Sequence, residues 1–184
     1  MANIDEILED IDDGLKETIS ILNKKGYTTF GCCEGHWHEG TNGYWHAYIA
    51  FRSGCFPREP RLTGFKHANL CNELYTTTEE SEVVSENSMK YELSPARNDL
   101  FIRFSFKNID MTREEKDRAH SAFLEELLEW AKQLEQKDEE KCLRREEWLK
   151  KRIGYFDYDT NPEWNSYMEV PETDLDLEKE WNDI

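Results

Sequence analysis

Two β-favouring runs, residues 27–30 and 44–51, flank a segment that closes with Thr41-Asn42-Gly43. Asn-Gly between such runs is a strong hairpin signal, because both residues tolerate the positive φ of the tight turns that match strand twist. The two runs are therefore predicted to pair antiparallel, bringing whatever follows the first strand back alongside His46 and Arg52. That pairing limits the chain to folds with an antiparallel sheet. It also isolates the segment between the strands, which is dense in reactive groups.

Ahead of the pair, Ile4, Ile7, Leu8, Ile11, Leu15, Ile19 and Leu22 recur at three- and four-residue intervals and define one stripe of an amphipathic helix. Gly14 weakens its middle and marks a kink or split, Asn23-Lys24-Lys25 bring positive charge to the last turn, and Gly26 stands where a left-handed cap is wanted. Further strands are expected over 71–77, 82–93 and 100–106, the last a candidate for a central position, with a Pro- and Arg-containing loop over 54–64. Thr112-Arg113-Glu114-Glu115 is a capping box opening a long helix, with Phe123, Leu124, Leu127, Leu128, Ala131 and Leu134 as its buried stripe. Helical character is expected to continue to Arg152, where Cys142, Leu143, Leu149 and Ile153 form a thin apolar line suited to docking on a second copy as a homodimer.

The fold class expected is α/β in the α+β sense: an amino-terminal helix, a mostly antiparallel sheet of about five strands and a long carboxy-terminal helix. Residues 1–153 form one domain and 154–184 an extension. In that extension ten carboxylates face Lys179 alone, and six aromatics (Tyr155, Phe156, Tyr158, Trp164, Tyr167, Trp181) are interleaved with them. A purely solvating tail has no need of those rings, so the segment is expected to pack or to engage a basic partner. The whole chain carries a formal charge of −17, which argues against nucleic-acid binding through a broad basic face and favours strongly basic partners. No apolar run approaches the length of a membrane span, the start of the sequence lacks an apolar signal core, and five cysteines show no framework spacing. A cytoplasmic location in a host cell and no membrane partner follow as expectations.

The segment after the first strand reads Cys32-Cys33-Glu34-Gly35-His36-Trp37-His38. Glu34, His36 and His38 share one face of an extended chain and suit general acid–base work, because a carboxylate raises the basicity of an imidazole that titrates near neutral pH. Such a trio can deprotonate a ribose 2′-hydroxyl and protonate a leaving oxygen, cleaving RNA with no metal or other cofactor. Two other uses stay open: a zinc site drawn from Cys32, Cys33, His36, His38 and His46, and a nucleophilic Cys33 assisted by His36. Arg52, Arg58, Arg61, Lys66 and His67 are candidates for a local phosphate rim, with Trp37, Tyr44, Trp45 and Phe56 for base stacking. The catalytic candidates are thus Glu34, His36, His38 and Cys33, and the substrate-binding candidates Arg52, His46, Arg58, Arg61 and Trp37.

The succession of helix, Leu22-Asn23-Lys24-Lys25-Gly26-Tyr27-Thr28-Thr29, Cys33-Glu34-Gly35-His36 and a strand through Tyr48-Ile49-Ala50-Phe51 resembles a group of small proteins from phages and other mobile elements. It is also distantly similar to the wybutosine-synthesis tRNA methyltransferase family, in which a strand leads into a Ser-Cys-Ser-Gly-Arg turn. Glu34 and His36 depart from that pattern, and no glycine-rich loop for S-adenosylmethionine accompanies it. Length, acidity and motif together look like phage-encoded anti-CRISPR proteins of the Cas9-inhibiting kind, one type of which trims guide RNA. That resemblance implies a ribonuclease with guide RNA and a Cas9-type ribonucleoprotein as partners. The alternative is a non-enzymatic acidic protein that blocks Cas9 or another basic nucleic-acid-binding protein.

Overall fold

The computed structural model describes residues 11–36, 46–66, 70–71, 86–94, 99–107 and 109–153. The expectations for Ile4, Ile7, Leu8, Trp37, His38, the Asn42-Gly43 turn, Tyr44, Trp45, His67, residues 72–85 and the acidic extension lie outside these.

The chain is an α+β fold. A 3₁₀ turn, Asp13–Leu15, leads into helix α1, Lys16–Lys24; strands β1 (Thr29–Cys33), β2 (His46–Phe51), β3 (Leu70–Cys71), β4 (Ser88–Ser94) and β5 (Asp99–Ser105) follow, then helices α2 (Arg113–Gln133) and α3 (Glu139–Ile153). The sheet order is β1-β2-β5-β4-β3, antiparallel throughout except for the short β3–β4 pairing. The antiparallel partnership of β1 and β2 is as the sequence predicts, with Cys33 opposite Tyr48. A bulge at Phe30 shifts the register by one residue, which turns the remainder of β1 over relative to Thr29. Strand β5 is central, as its incomplete alternation suggests.

One sheet face carries Ala47, Ile49, Phe51, Met89, Tyr91, Leu100, Ile102 and Phe104, all buried, against Leu15, Ile19 and Leu22 of the amino-terminal helical segment and Phe123, Leu127 and Ala131 of α2. The apolar period of two in the strands and three to four in the helices makes these faces complementary. Phe104, Phe106, Phe123 and Phe65 meet mostly edge to face, with Phe106 and Phe123 centroids 4.8 Å apart, the geometry ring quadrupoles prefer.

The break expected near Gly14 falls at Asp12, which at φ −53° and ψ 136° lies outside helical space. Two expectations are corrected. The long carboxy-terminal helix is two helices: Leu134 (ψ 140°) ends α2, and the Asp138 carboxylate accepts the Lys141 backbone N–H to start α3. The thin stripe of α3 needs no second copy, because Cys142 and Leu149 are fully buried in the chain's own core while Leu143 is exposed. The polar residues between them explain the sparse apolar pattern. Arg145 and Glu146 are themselves buried, Arg145 donating to the Phe56 carbonyl at 3.1 Å and Glu146 accepting from Ser53 and the Gly54 N–H.

The end of α2 is closed from a distance. The Lys25 ammonium donates to the carbonyls of Ala131 (2.9 Å), Lys132 (2.6 Å) and Leu134, satisfying groups that the helix itself leaves unpaired and opposing its negative end. Lys25 thus serves the last turn of α2, not that of its own helix. The capping box at Thr112 and Glu115 forms at the other end of α2, as the motif requires.

Candidate functional site

The turn leaving β1 is held on every side. Glu34 donates its N–H to Asp12 Oδ2 (2.9 Å), accepts from His120 Nε2 at its carbonyl (2.7 Å), and takes the Gly14 N–H on a side-chain oxygen (2.8 Å). Gly14 is where a side chain would collide with that Glu34 carboxylate and with Leu124, so the residue that interrupts the helical stripe makes room for the turn. Gly35 has φ +88° and lies over the His46 backbone, a conformation and a closeness that favour glycine. Its N–H points at Cys33 Sγ (3.4 Å).

His36 leaves this frame half exposed, with Nε2 3.3 Å from Asp12 Oδ1. Asp12, Cys33 and His36 each offer a ligand atom, all within 4.8 Å of one another. Cys33 and Cys32 differ in direction. The register after the bulge sets Cys32 opposite Ile49, on the core side, and Cys33 opposite Tyr48, on the other face. Burial, reinforced by the Asp12 charge, pushes the Cys32 thiol up to about 12. Burial also raises Cys33; the Gly35 N–H opposes this and Asp12 adds to it. Both are neutral thiols near pH 7, which works against Cys33 as a nucleophile acting unaided.

The other candidates divide by position. His46 opens β2 directly beneath Gly35 and shares a hydrogen bond between Nδ1 and the Ser105 hydroxyl (3.1 Å), so it belongs to the same corner. Arg52 does not. It sits beyond the far end of β2, six residues or about 20 Å along the strand from His46, with its guanidinium 4.3 Å above the Phe30 ring and 3.5 Å from the buried Asp99 carboxylate. The expectation that pairing would bring it alongside the turn fails because the two ends of a six-residue strand are far apart. Arg58 and Arg61 lie in a cleft shared with Glu125, Glu126 and Glu129 of α2, where the Arg58 carbonyl accepts the Trp130 indole N–H (2.9 Å). Trp130 is ten residues, about 15 Å of helix, beyond His120. Opposed carboxylates make that cleft a poor phosphate rim.

Asp12, Gly14 and His120 complete the corner; of these the sequence marks only Gly14, as a break in the helical stripe. The available signal was Asp12-Asp13-Gly14 interrupting an otherwise regular stripe. His120 had no local signal, because its partner is 86 residues away. Comparison with protein-family models, curated proteins and solved structures finds no match for this chain.

Proposed function

We propose that the corner built from Asp12, Cys33 and His36 is a reactive site for RNA, and that its substrate is the guide RNA carried by a Cas9-type ribonucleoprotein. The observation that carries this reading is the Asp12–His36 pair, an imidazole oriented by a carboxylate and open to solvent. In this reading His36 takes the proton of a ribose 2′-hydroxyl while the 2′-oxygen attacks phosphorus. The departing 5′-oxygen receives a proton from a second imidazole, for which His46 is the described candidate. Glu34 moves from base to positioning residue, since one of its carboxylate oxygens already holds the Gly14 N–H. The excess of carboxylates supports docking on a basic effector.

The test is a gel of guide RNA, free and loaded on a Cas9-type protein, incubated with wild type, His36→Gln and Asp12→Asn. A shortened band with wild type that disappears in His36→Gln and weakens in Asp12→Asn is expected. Unchanged cleavage by His36→Gln refutes the assignment. Intact RNA with DNA cutting still blocked selects the second reading, a non-enzymatic acidic blocker. That reading is favoured by the exposed Glu114, Glu115, Asp117, Glu125 and Glu129 along α2.

A further inference from the structure

We propose that Asp12, Cys33 and His36 form a binding site for a divalent ion of the zinc class, with three protein ligands and one position open to water. The donor set is one carboxylate oxygen, one sulfur and one imidazole nitrogen, a combination that suits zinc and not magnesium or calcium. Geometry supports the same conclusion. Two ligands about 2.0–2.1 Å from a tetrahedral ion stand about 3.3–3.4 Å apart, and His36 Nε2 already lies 3.3 Å from Asp12 Oδ1. The sulfur completes a triangle within 4.8 Å, so closing around an ion requires side-chain movement of about 1 Å.

The groups behind the ligands are also in place. Asp12 is oriented through its other oxygen by the Glu34 N–H, and the Gly35 N–H is aimed at the Cys33 sulfur. Hydrogen bonds of this kind fix first ligands and stabilise the charge a thiolate brings. Glu34 is itself anchored by Gly14 and His120, so the frame does not rely on the ion to form. Binding replaces the thiol proton by the metal and releases that proton to solvent. The half exposure of His36 leaves room for the fourth ligand. An ion held there would occupy His36 Nε2, and would supply a bound hydroxide in place of the free imidazole as the basic group. The inference does not depend on the RNA reading, since occupancy is measured with no RNA present.

The test is titration of untagged, full-length, reduced protein with Co²⁺, followed by Zn²⁺ competition. A tetrahedral visible spectrum and a near-ultraviolet sulfur-to-cobalt band are expected at one equivalent, with both abolished by Zn²⁺. Cys33→Ser should remove the sulfur band, His36→Gln should weaken affinity by at least tenfold, and Cys32→Ser should keep the band. Because a variant can fail to fold, the wild type supplies a second measurement: Zn²⁺ should protect Cys33, and no other cysteine, from alkylation mapped by mass spectrometry. Absence of a sulfur band in wild type, persistence of the band in folded Cys33→Ser, or unprotected Cys33 under saturating Zn²⁺ overturns the proposal.

Discussion

Replacing Gly35 by Ala tests the geometry of the turn directly. At φ +88° an L-residue incurs about 1–2 kcal/mol from the clash of Cβ with the backbone. The added methyl also meets the His46 carbonyl oxygen at 3.2 Å and its carbon at 3.4 Å. Those are backbone atoms of β2, paired to β1 and β5, and cannot yield as a side-chain tip would. Local displacement of this kind costs about a further 1 kcal/mol or more, for a total of about 2–3 kcal/mol. Gly64→Ala is the internal control, with φ +78° but nothing within 4 Å of its added Cβ, so it pays only the dihedral term. Gly31→Ala, whose Cβ meets Tyr48 and Ala50 at ordinary contact distances of 3.8 and 3.9 Å, should be close to neutral. Urea unfolding followed by tryptophan fluorescence gives all three with m expected unchanged. If Gly35→Ala loses no more stability than Gly64→Ala, the packing of the turn on β2 described above is wrong.

Phe104→Ala removes a fully buried ring that packs on Phe65 and Phe123 and should cost about 3–5 kcal/mol, read as a lower thermal midpoint. Glu146→Ala leaves the Ser53 hydroxyl and the Gly54 N–H without this acceptor and should cost about 2–3 kcal/mol; a neutral result in urea unfolding would show that these donors find water instead. For pH, the Cys32 thiol is raised in the folded state from 9.0 to about 12, so folding favours the protonated form. Its contribution is complete below pH 9 and is lost as pH rises from there towards 12. Cys32→Val should flatten the fall in urea midpoint between pH 9 and 11, and an identical slope in both proteins would contradict the burial of that thiol.

Much of the architecture is legible in short-range pattern. The pairing of β1 with β2, the capping box at Thr112, the left-handed Gly26 (φ +90°) and the central place of β5 all follow from residues close in sequence. What escaped local reading is carried by long-range polar contacts. Buried Arg145 and Glu146 disguise the core-facing side of α3, because Glu146 accepts from Ser53 and Gly54 and one Arg145 nitrogen donates to the Phe56 carbonyl, roughly ninety residues earlier. Cys33 and His36 stand out in the sequence and lie together in the structure, but the carboxylate beside His36 is that of Asp12, ahead of the helix, while Glu34 holds the Gly14 N–H. Sequence spacing places Glu34 and His36 on one face only if the chain runs on extended past Cys33, and the left-handed Gly35 between them prevents that.

Lys25 closes α2 across an interval of more than a hundred residues, and His120 steadies the Glu34 turn across 86. On a ribosome, which releases the chain from its amino end, the first helix and hairpin emerge long before either partner exists. The nascent segment therefore waits in an incomplete state, the Glu34 turn without its His120 contact, until α2 has left the exit tunnel. Synthesis halted before that point yields a fragment whose Glu34 carbonyl lacks its His120 partner and whose sheet face lacks Phe123, Leu127 and Ala131 of α2.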